Sequence, residues 1–229
     1  MARNSHFARA FTLIEVIVVL AIIVIMMAMV YPAYTTISER AKATKDMSNL
    51  RQIGMATQAY LNDNDGVLFS TATPWSSQLE LNQKYLSTWR ILQSPFDKRA
   101  SSNAGDGTTA ISYGINVRIY PNGTSMGATK ITNPTGFILF APAQNNAATV
   151  TFQGVATTGA PGVNLLGNNN AVTSTPGGVA IGGTHNSRRL INALFADLHC
   201  ETMSWSSFKS TTPNVSGQPD QWTPYTPYP

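Results

Sequence analysis

Residues 11–31 read FTLIEVIVVLAIIVIMMAMVY, an apolar run interrupted by one charged residue, Glu15. As an α-helix this run is about 31 Å long, and the hydrocarbon core of a bilayer is about 30 Å thick. A buried helix of a soluble domain would usually be shorter and would carry its apolar residues along one face. The sequence therefore predicts a membrane-spanning helix over residues 11–31.

The segment before the apolar run is basic, with Arg3 and Arg9. A secretory signal peptide also begins with basic residues, but its cleavage site follows the apolar region, and no clear site of that kind follows here. The small residue instead precedes the run, at Ala10. We therefore predict cleavage between Ala10 and Phe11. The helix is then kept, residues 1–10 are a leader, and the N-terminus is cytoplasmic by the positive-inside rule.

The position of Glu15 suggests a role in assembly. A carboxylate within a membrane costs a few kcal/mol unless it finds a partner. Cleavage before Phe11 would create an amino terminus about one helical turn from Glu15. On a neighbouring subunit, that amine could pair with the carboxylate and set the axial register between the two subunits.

The segment from Arg9 to Tyr34, RAFTLIEVIVVLAIIVIMMAMVYPAY, resembles the N-terminal cleavage and methylation segment of type IV pilins and type II secretion pseudopilins. The resemblance implies cleavage by a prepilin peptidase and N-methylation of Phe11. It also implies that Glu15 acts in subunit recruitment and that the helix forms a filament core. Pro32 lies where this family commonly bends its helix. Ala10 is a departure, because the family usually has glycine before the cut.

The sequence after the apolar run predicts that the helix continues into a β-rich head. Apolar residues recur from Met47 to Tyr60 at three- and four-residue steps, which indicates an amphipathic helix packed on a sheet. Pro32 predicts a kink near the membrane surface, because it lacks an N–H group and clashes with the preceding turn. The turn-forming stretch NDNDG, residues 62–66, predicts the end of the helix after Leu61.

Several segments of the head predict strands, because clusters of Pro, Gly and Asn separate them. They are residues 110–119, 136–141, 148–155, 178–181 and 190–203, preceded by a short helix within residues 75–86 and a turn at residues 94–97. We therefore predict an α+β, pilin-like fold. A long helix, transmembrane over 11–31 and amphipathic over 32–61, packs on an antiparallel sheet. The head covers residues 62–229, with long loops and an extended C-terminal tail.

Two parts of the head resemble pseudopilin-like proteins of planctomycetes and verrucomicrobia. SPFDKR begins at Ser94, where that group has a cysteine, and is followed by ISYGIN at residues 111–116. THNSRRLINALFADLHCETM, residues 184–203, resembles their C-terminal signature; the matching residues are His185, Asn192, Phe195, Asp197 and His199. The spacing from the histidine to the aspartate is about two residues longer here. Leu198 replaces a glycine of that group, which puts a tight turn with positive φ in question.

The C-terminal cluster allows two interpretations. On one strand, Asp197 and His199 would share a face, and His185 could join them across a hairpin to bind a cation such as zinc. Cys200 would then lie on the opposite face, which breaks a Cys–His dyad with His199. The favoured alternative is a hairpin in which Asp197 bonds turn amides. Residues 62–65 likewise offer oxygens to calcium, but a helix-ending turn is preferred there.

Composition and motifs exclude several classes of function. The 229-residue chain has a net charge of only +4 and scattered basic residues, so no nucleic-acid partner is expected. Cys200 is the single cysteine, so no intrachain disulfide can form. Many type IV pilins close a C-terminal loop with a disulfide, and its absence favours the pseudopilin branch of the resemblance. We find no P-loop, GxSxG or CxxC motif, so neither an enzyme nor a cofactor is predicted.

The sequence therefore predicts a structural subunit of a type IV pilus-like or type II secretion pseudopilus-like filament. The expected partners are further copies of the chain, a prepilin peptidase, an inner-membrane assembly platform with its ATPase, and the membrane itself. The expected location is the inner membrane, single-pass with a periplasmic head, and then a periplasmic pseudopilus or a surface filament. The alternative is a membrane-anchored module that binds a glycan or another polymer, with Trp75, Trp89, Trp205, Trp222 and the tail tyrosines as stacking residues.

Overall fold

The computed structural model describes residues 12–80, 84–97, 111–142, 151–152, 173–174, 180–181, 183–208, 210 and 219–226. The chain divides into two compact units, residues 1–41 and 42–229. The two residues at the predicted cleavage site, Ala10 and Phe11, lie outside the described part of the chain.

One long helix, α1 (Leu13–Asp63), runs from the first unit into the second. The single long helix that the sequence predicts is therefore confirmed, and it ends at Asp63 instead of Leu61. The helix continues through Pro32, and the kink expected there stays a prediction. Beyond Asp63 the backbone takes positive φ at Asp65 and Gly66, and the Gly66 N–H donates to the Leu61 carbonyl over 2.8 Å. This is a glycine-type helix end.

The second unit combines short helices with short strands. The helices are α2 (Trp75–Glu80) and α3 (Trp205–Phe208), and 3-10 turns lie at Trp89–Leu92, Val117–Ile119, Pro121–Gly123 and Ala128–Lys130. The strands are β1 (Tyr113–Asn116), β2 (Ile138–Pro142), β3 (Thr151–Phe152), β4 (Thr173–Ser174), β5 (Ala180–Ile181), β6 (Leu190–Phe195) and β7 (Cys200–Ser204).

The main sheet has the strand order β3-β1-β2-β6-β7, and β4 pairs with β5 separately. The pairs β1–β2, β2–β6 and β6–β7 are antiparallel, as predicted, whereas β3 adds to β1 in parallel. The predicted strand over residues 190–203 is a hairpin, because the chain turns at residues 196–199 and returns as β7. The predicted strand over residues 110–119 is shorter, since a 3-10 turn follows Asn116.

The core of the second unit lies between α1 and the sheet. Leu50 and Ile53, on the predicted apolar stripe of α1, are fully buried. Gly54 on the same helix faces β6: a Cβ atom there would lie 3.1 Å from Leu194 Cδ1 and 3.7 Å from Leu198 Cβ. The missing side chain of Gly54 therefore lets the helix approach the β6–β7 hairpin closely.

The described part of the C-terminal tail, residues 219–226, packs against this core instead of extending away from it. Trp222 is 1% exposed. The Ile138 N–H donates to the Gln221 carbonyl over 2.9 Å, and the Thr132 N–H donates to the Pro224 carbonyl over 2.9 Å. The Gln221 side-chain amide donates to carbonyls of residues 207, 208 and 210. The tail segment thus completes the core.

Candidate functional site

The first unit presents an apolar helical surface. Large apolar side chains from Leu13 to Tyr31 are between 45% and 76% exposed. The helix is long and apolar enough to cross a membrane, and none of its most apolar 18-residue window is buried. Because soluble monomers rarely expose a continuous apolar surface of this size, the segment requires lipid or other protein around it.

Glu15 lies at the start of this surface and caps the helix. The Thr12 N–H and the Thr12 hydroxyl each donate to Glu15 Oε2 over 2.8 Å. The Glu15 N–H donates back to Thr12 Oγ1 over 3.3 Å. These contacts form a capping box, in which a hydroxyl residue and a glutamate three positions later satisfy free amides of the first turn. The T-x-x-E spacing is present in the sequence, where Glu15 is expected to act only in assembly.

A second candidate site is a carboxylate buried in the head. Asp46, on α1, is 0% exposed. Its Oδ1 accepts hydrogen bonds from the Ser94 hydroxyl over 2.6 Å and the Tyr113 hydroxyl over 2.7 Å. Its Oδ2 accepts from Asn192 Nδ2 over 2.8 Å. One helical carboxylate therefore binds a loop, strand β1 and strand β6 together.

Further polar contacts surround Asp46. Asn192 also donates to the Ala43 carbonyl over 3.1 Å and accepts from the Thr202 hydroxyl over 2.7 Å. Asn49 donates to the Tyr113 hydroxyl oxygen over 3.3 Å. Burial is the largest influence on the carboxyl and raises the pKa of Asp46, although the three donors act to lower it. Asp46 is not among the site residues predicted from the sequence, because a lone acidic residue on an amphipathic helix is usually exposed to solvent.

The head patterns singled out in the sequence meet around this cluster. Ser94 and Tyr113 come from the first of the two resembling parts and Asn192 from the second, and all three contact Asp46. The Ser112 hydroxyl donates to Asp97 over 2.6 Å, which links SPFD to SYGIN directly. Buried Asn116 donates to the carbonyls of residues 138 and 222, over 3.1 Å each. In this structure the patterns are framework residues that hold the head together.

The structure separates the residues of the suggested cation site. Asp197 and His199 lie in the turn between β6 and β7, where the Asp197 carboxylate accepts from the His199 N–H and contacts His199 Nδ1. His185 is 6% exposed and stacks on Phe96 with ring centroids 5.6 Å apart. Within the described ranges, no group of three or more His, Cys, Asp or Glu side chains could hold a metal ion. His185 therefore does not join the other two residues.

The β6–β7 turn keeps a positive φ without the glycine. Leu198 has φ +70°, in the left-handed region that glycine usually occupies. The His199 ring stacks on Phe195 with centroids 4.4 Å apart. The glycine of the resembled pattern is thus replaced without loss of the turn.

The possible calcium loop after α1 is tied into ordinary turn contacts. Asp63 pairs with Lys84 over 2.7 Å and accepts from the Tyr85 hydroxyl over 3.0 Å. The hydrogen bond from Lys84 lowers the pKa of Asp63. Asn64 donates its side-chain amide to the Tyr60 carbonyl over 2.8 Å. The contacts match a helix-ending turn.

The tryptophans expected to stack on a glycan belong to the core. Trp75, Trp205 and Trp222 are at most 1% exposed, and Trp89 is 7% exposed. Trp75 packs edge-on against Phe140, with ring centroids 4.9 Å apart. Their faces are therefore closed to a polymer ligand.

Comparison with known proteins identifies the N-terminus. Residues 6–31 match the family model described as the prokaryotic N-terminal methylation motif. The matched segment contains Ala10, Phe11 and Glu15, and a motif of this kind is consistent with the N-terminus of a type IV pilin- or pseudopilin-like precursor. No curated protein matches the chain, and neither does any solved structure. The likeness of the head to planctomycete and verrucomicrobial proteins stays a prediction.

Proposed function

We propose that the chain is a structural subunit of a type IV pilus-like or type II secretion pseudopilus-like filament, assembled through the apolar surface of residues 13–31. The observation that carries the proposal is this exposed surface, which coincides with the matched methylation motif. None of residues 13–31 belongs to the described hydrophobic core of the head. A prepilin peptidase, an assembly platform with its ATPase and further copies of the chain are the proposed partners.

Assembly would move the helix from lipid into a protein core. Lipid tails are as apolar as leucine, so this transfer brings little hydrophobic gain and depends on close packing and polar contacts. Glu15 is the polar group available for such a contact. We infer that it exchanges the neutral donors of Thr12 for the terminal ammonium of a neighbour, because charge-assisted hydrogen bonds are roughly twice as strong as neutral ones.

The first test is the mass of the N-terminal peptide of the protein purified from its native membrane. We expect a chain that begins at Phe11 and carries one added methyl group. A chain that still begins at Met1 or Ala2 would contradict the proposal at its first step, and would favour an uncut membrane-anchored protein.

The second test is a filament count for Glu15→Gln. The amide keeps the shape of the side chain but cannot pair ionically with an ammonium, so we expect processed subunits in the membrane and at least tenfold fewer filaments. Glu39→Gln makes the same chemical change on the same helix beyond residues 13–31 and should leave the count unchanged. Wild-type filament numbers for Glu15→Gln would remove the pairing from the proposal.

The glycan-binding alternative has lost its main support. It needs exposed aromatic faces, and all four tryptophans are buried. The methylation motif also indicates a structural protein rather than an enzyme.

A further inference from the structure

Asp46 holds a distinctive position on α1. Along the described side chains of this helix, starting from Leu13, it is the first that is fully buried. Its hydrogen-bond partners lie 48, 67 and 146 residues away in the chain, at Ser94, Tyr113 and Asn192. Asp46 is therefore a point where the helix is fastened to three parts of the head at once.

Among the residues that the structure describes, no positively charged group contacts Asp46. The pKa of Asp46 is influenced by its burial and by three neutral hydrogen-bond donors. Lys45, next to Asp46 along the helix, is exposed, and Arg51 is exposed and interacts with Cys200. An ionised carboxylate buried without a cation carries a large desolvation cost, which neutral hydrogen bonds offset only in part. The geometry therefore favours a neutral, protonated carboxyl.

The cluster can accept such a proton without losing its contacts. Both partners of Asp46 Oδ1 are hydroxyl groups, at 2.6 and 2.7 Å, and a hydroxyl can donate or accept by rotation. Oδ2 stays an acceptor for the Asn192 amide. Asn49 Oδ1, on the residue that contacts the Tyr113 hydroxyl, is buried and accepts no hydrogen bond from any described residue. One more donor is what this cluster lacks.

We propose that Asp46 is a proton-linked latch, which takes up a proton in the folded head and holds α1 on the sheet more tightly in mild acid than at neutral pH. The inference concerns the head alone and does not depend on filament formation. Its functional consequence is that an acidic exterior strengthens the attachment of the helix instead of weakening it.

Two other titratable groups near Asp46, Tyr113 and Cys200, keep their protons in this range. Burial raises the pKa of Tyr113 well above its ordinary value, and burial raises the pKa of Cys200 to about 11. Asp97, on the Ser94 loop, is engaged by the Ser112 hydroxyl. Burial raises the pKa of Asp46 above the value of about 3.9 that it has in an unfolded chain. Between the pKa of Asp46 in the unfolded chain and its higher pKa in the folded head, the folded state binds more protons than the unfolded state. The free energy of unfolding therefore falls as the pH rises.

The test is denaturant unfolding of the full chain in detergent at several values between about pH 4 and pH 8, chosen to span the unfolded value for Asp. Tryptophan fluorescence reports on the head, because all four tryptophans lie in its core. Relative to Asp46→Asn, the folded-to-unfolded ratio of the wild type should fall with rising pH, by up to tenfold per pH unit in the linked range. Asp63→Asn is the control. Because Lys84 lowers the pKa of Asp63, the wild type should gain stability relative to Asp63→Asn as the pH rises, which is the opposite of the change expected for Asp46.

Wild-type and Asp46→Asn profiles that stay parallel over this range would overturn the latch. A wild type that becomes relatively more stable with rising pH would also overturn it. Should Asp46→Asn fail to fold, infrared spectroscopy of the wild type decides the matter. The band of a protonated carboxylic acid should persist above the unfolded value of about 3.9 for Asp and be lost on unfolding. Tyr113→Phe is a second variant. It removes a hydrogen-bond donor that stabilises the ionised form of Asp46, so the band should disappear at a higher pH than in the wild type.

Discussion

At the residue scale, Leu198 is the clearest conflict between local preference and tertiary structure. A left-handed conformation costs a non-glycine residue roughly 1–2 kcal/mol. Leu198 takes it nonetheless, with φ +70°, and packs its side chain against the core, where Gly54 on α1 leaves room. Contact with the helix therefore compensates for strain in the turn.

This conflict predicts an unusual order of stabilities at position 198. Leu198→Ala loses the packing and keeps the strain, so it should destabilise the head by about 1–2 kcal/mol. Leu198→Gly also loses the packing but relieves the strain, and should be the more stable of the two by about 1 kcal/mol. Denaturant unfolding followed by tryptophan fluorescence measures both. Glycine less stable than alanine here would contradict the positive φ.

At the element scale, α1 serves two environments with one continuous helix. Residues 13–31 expose apolar side chains all round, whereas residues 46–61 bury one face in the head. The second part depends on close approach to the β6–β7 hairpin at Gly54. The pattern of α1 thus changes from all-round apolar to one-sided along its length, as its surroundings do.

Gly54 gives a direct test of that approach. Gly54→Val places branched methyl groups where a Cβ atom alone would lie 3.1 Å from Leu194 Cδ1, and we expect a loss of about 1–3 kcal/mol from overpacking. Met55→Val introduces the same residue at the neighbouring position of the helix, which is exposed, and should cost only a few tenths of a kcal/mol. Equal effects of the two substitutions in urea unfolding would argue against close packing at Gly54.

At the scale of the whole molecule, the head is closed by its C-terminal segment. Trp222 packs edge-on against Phe208 with ring centroids 4.9 Å apart, and its carbonyl accepts from buried Asn116. Arg118 contacts both Thr223 and Asp220. Residues more than 100 positions apart thus complete one core, and the segment is needed for stability rather than for display.

Trp222→Ala should therefore destabilise the head by about 3–5 kcal/mol, the usual cost of removing a buried aromatic side chain. Thr226→Ala changes an exposed residue of the same segment and should lie within about 0.5 kcal/mol of the wild type. The measurement is the denaturation midpoint of each full chain in detergent. A small effect of Trp222→Ala would mean that the segment is not part of the core.

The sequence by itself determined the features whose signals are local. The length and apolarity of residues 11–31, the stripe from Met47 to Tyr60 and the turn at residues 62–66 each lie within one stretch of chain, so periodicity and turn chemistry were sufficient. The motif around Ala10, Phe11 and Glu15 is local as well, and the family match covers it.

Only the tertiary structure decided the rest. The hairpin within residues 190–203, the parallel addition of β3 and the inward packing of residues 219–226 depend on which segments meet across the fold. The clearest example is Asp46, which reads as one polar residue of an amphipathic helix until partners as far as 146 residues away surround it. A buried hydrogen-bond cluster has no sequence period, because its members are chosen by proximity in space and not by spacing along the chain.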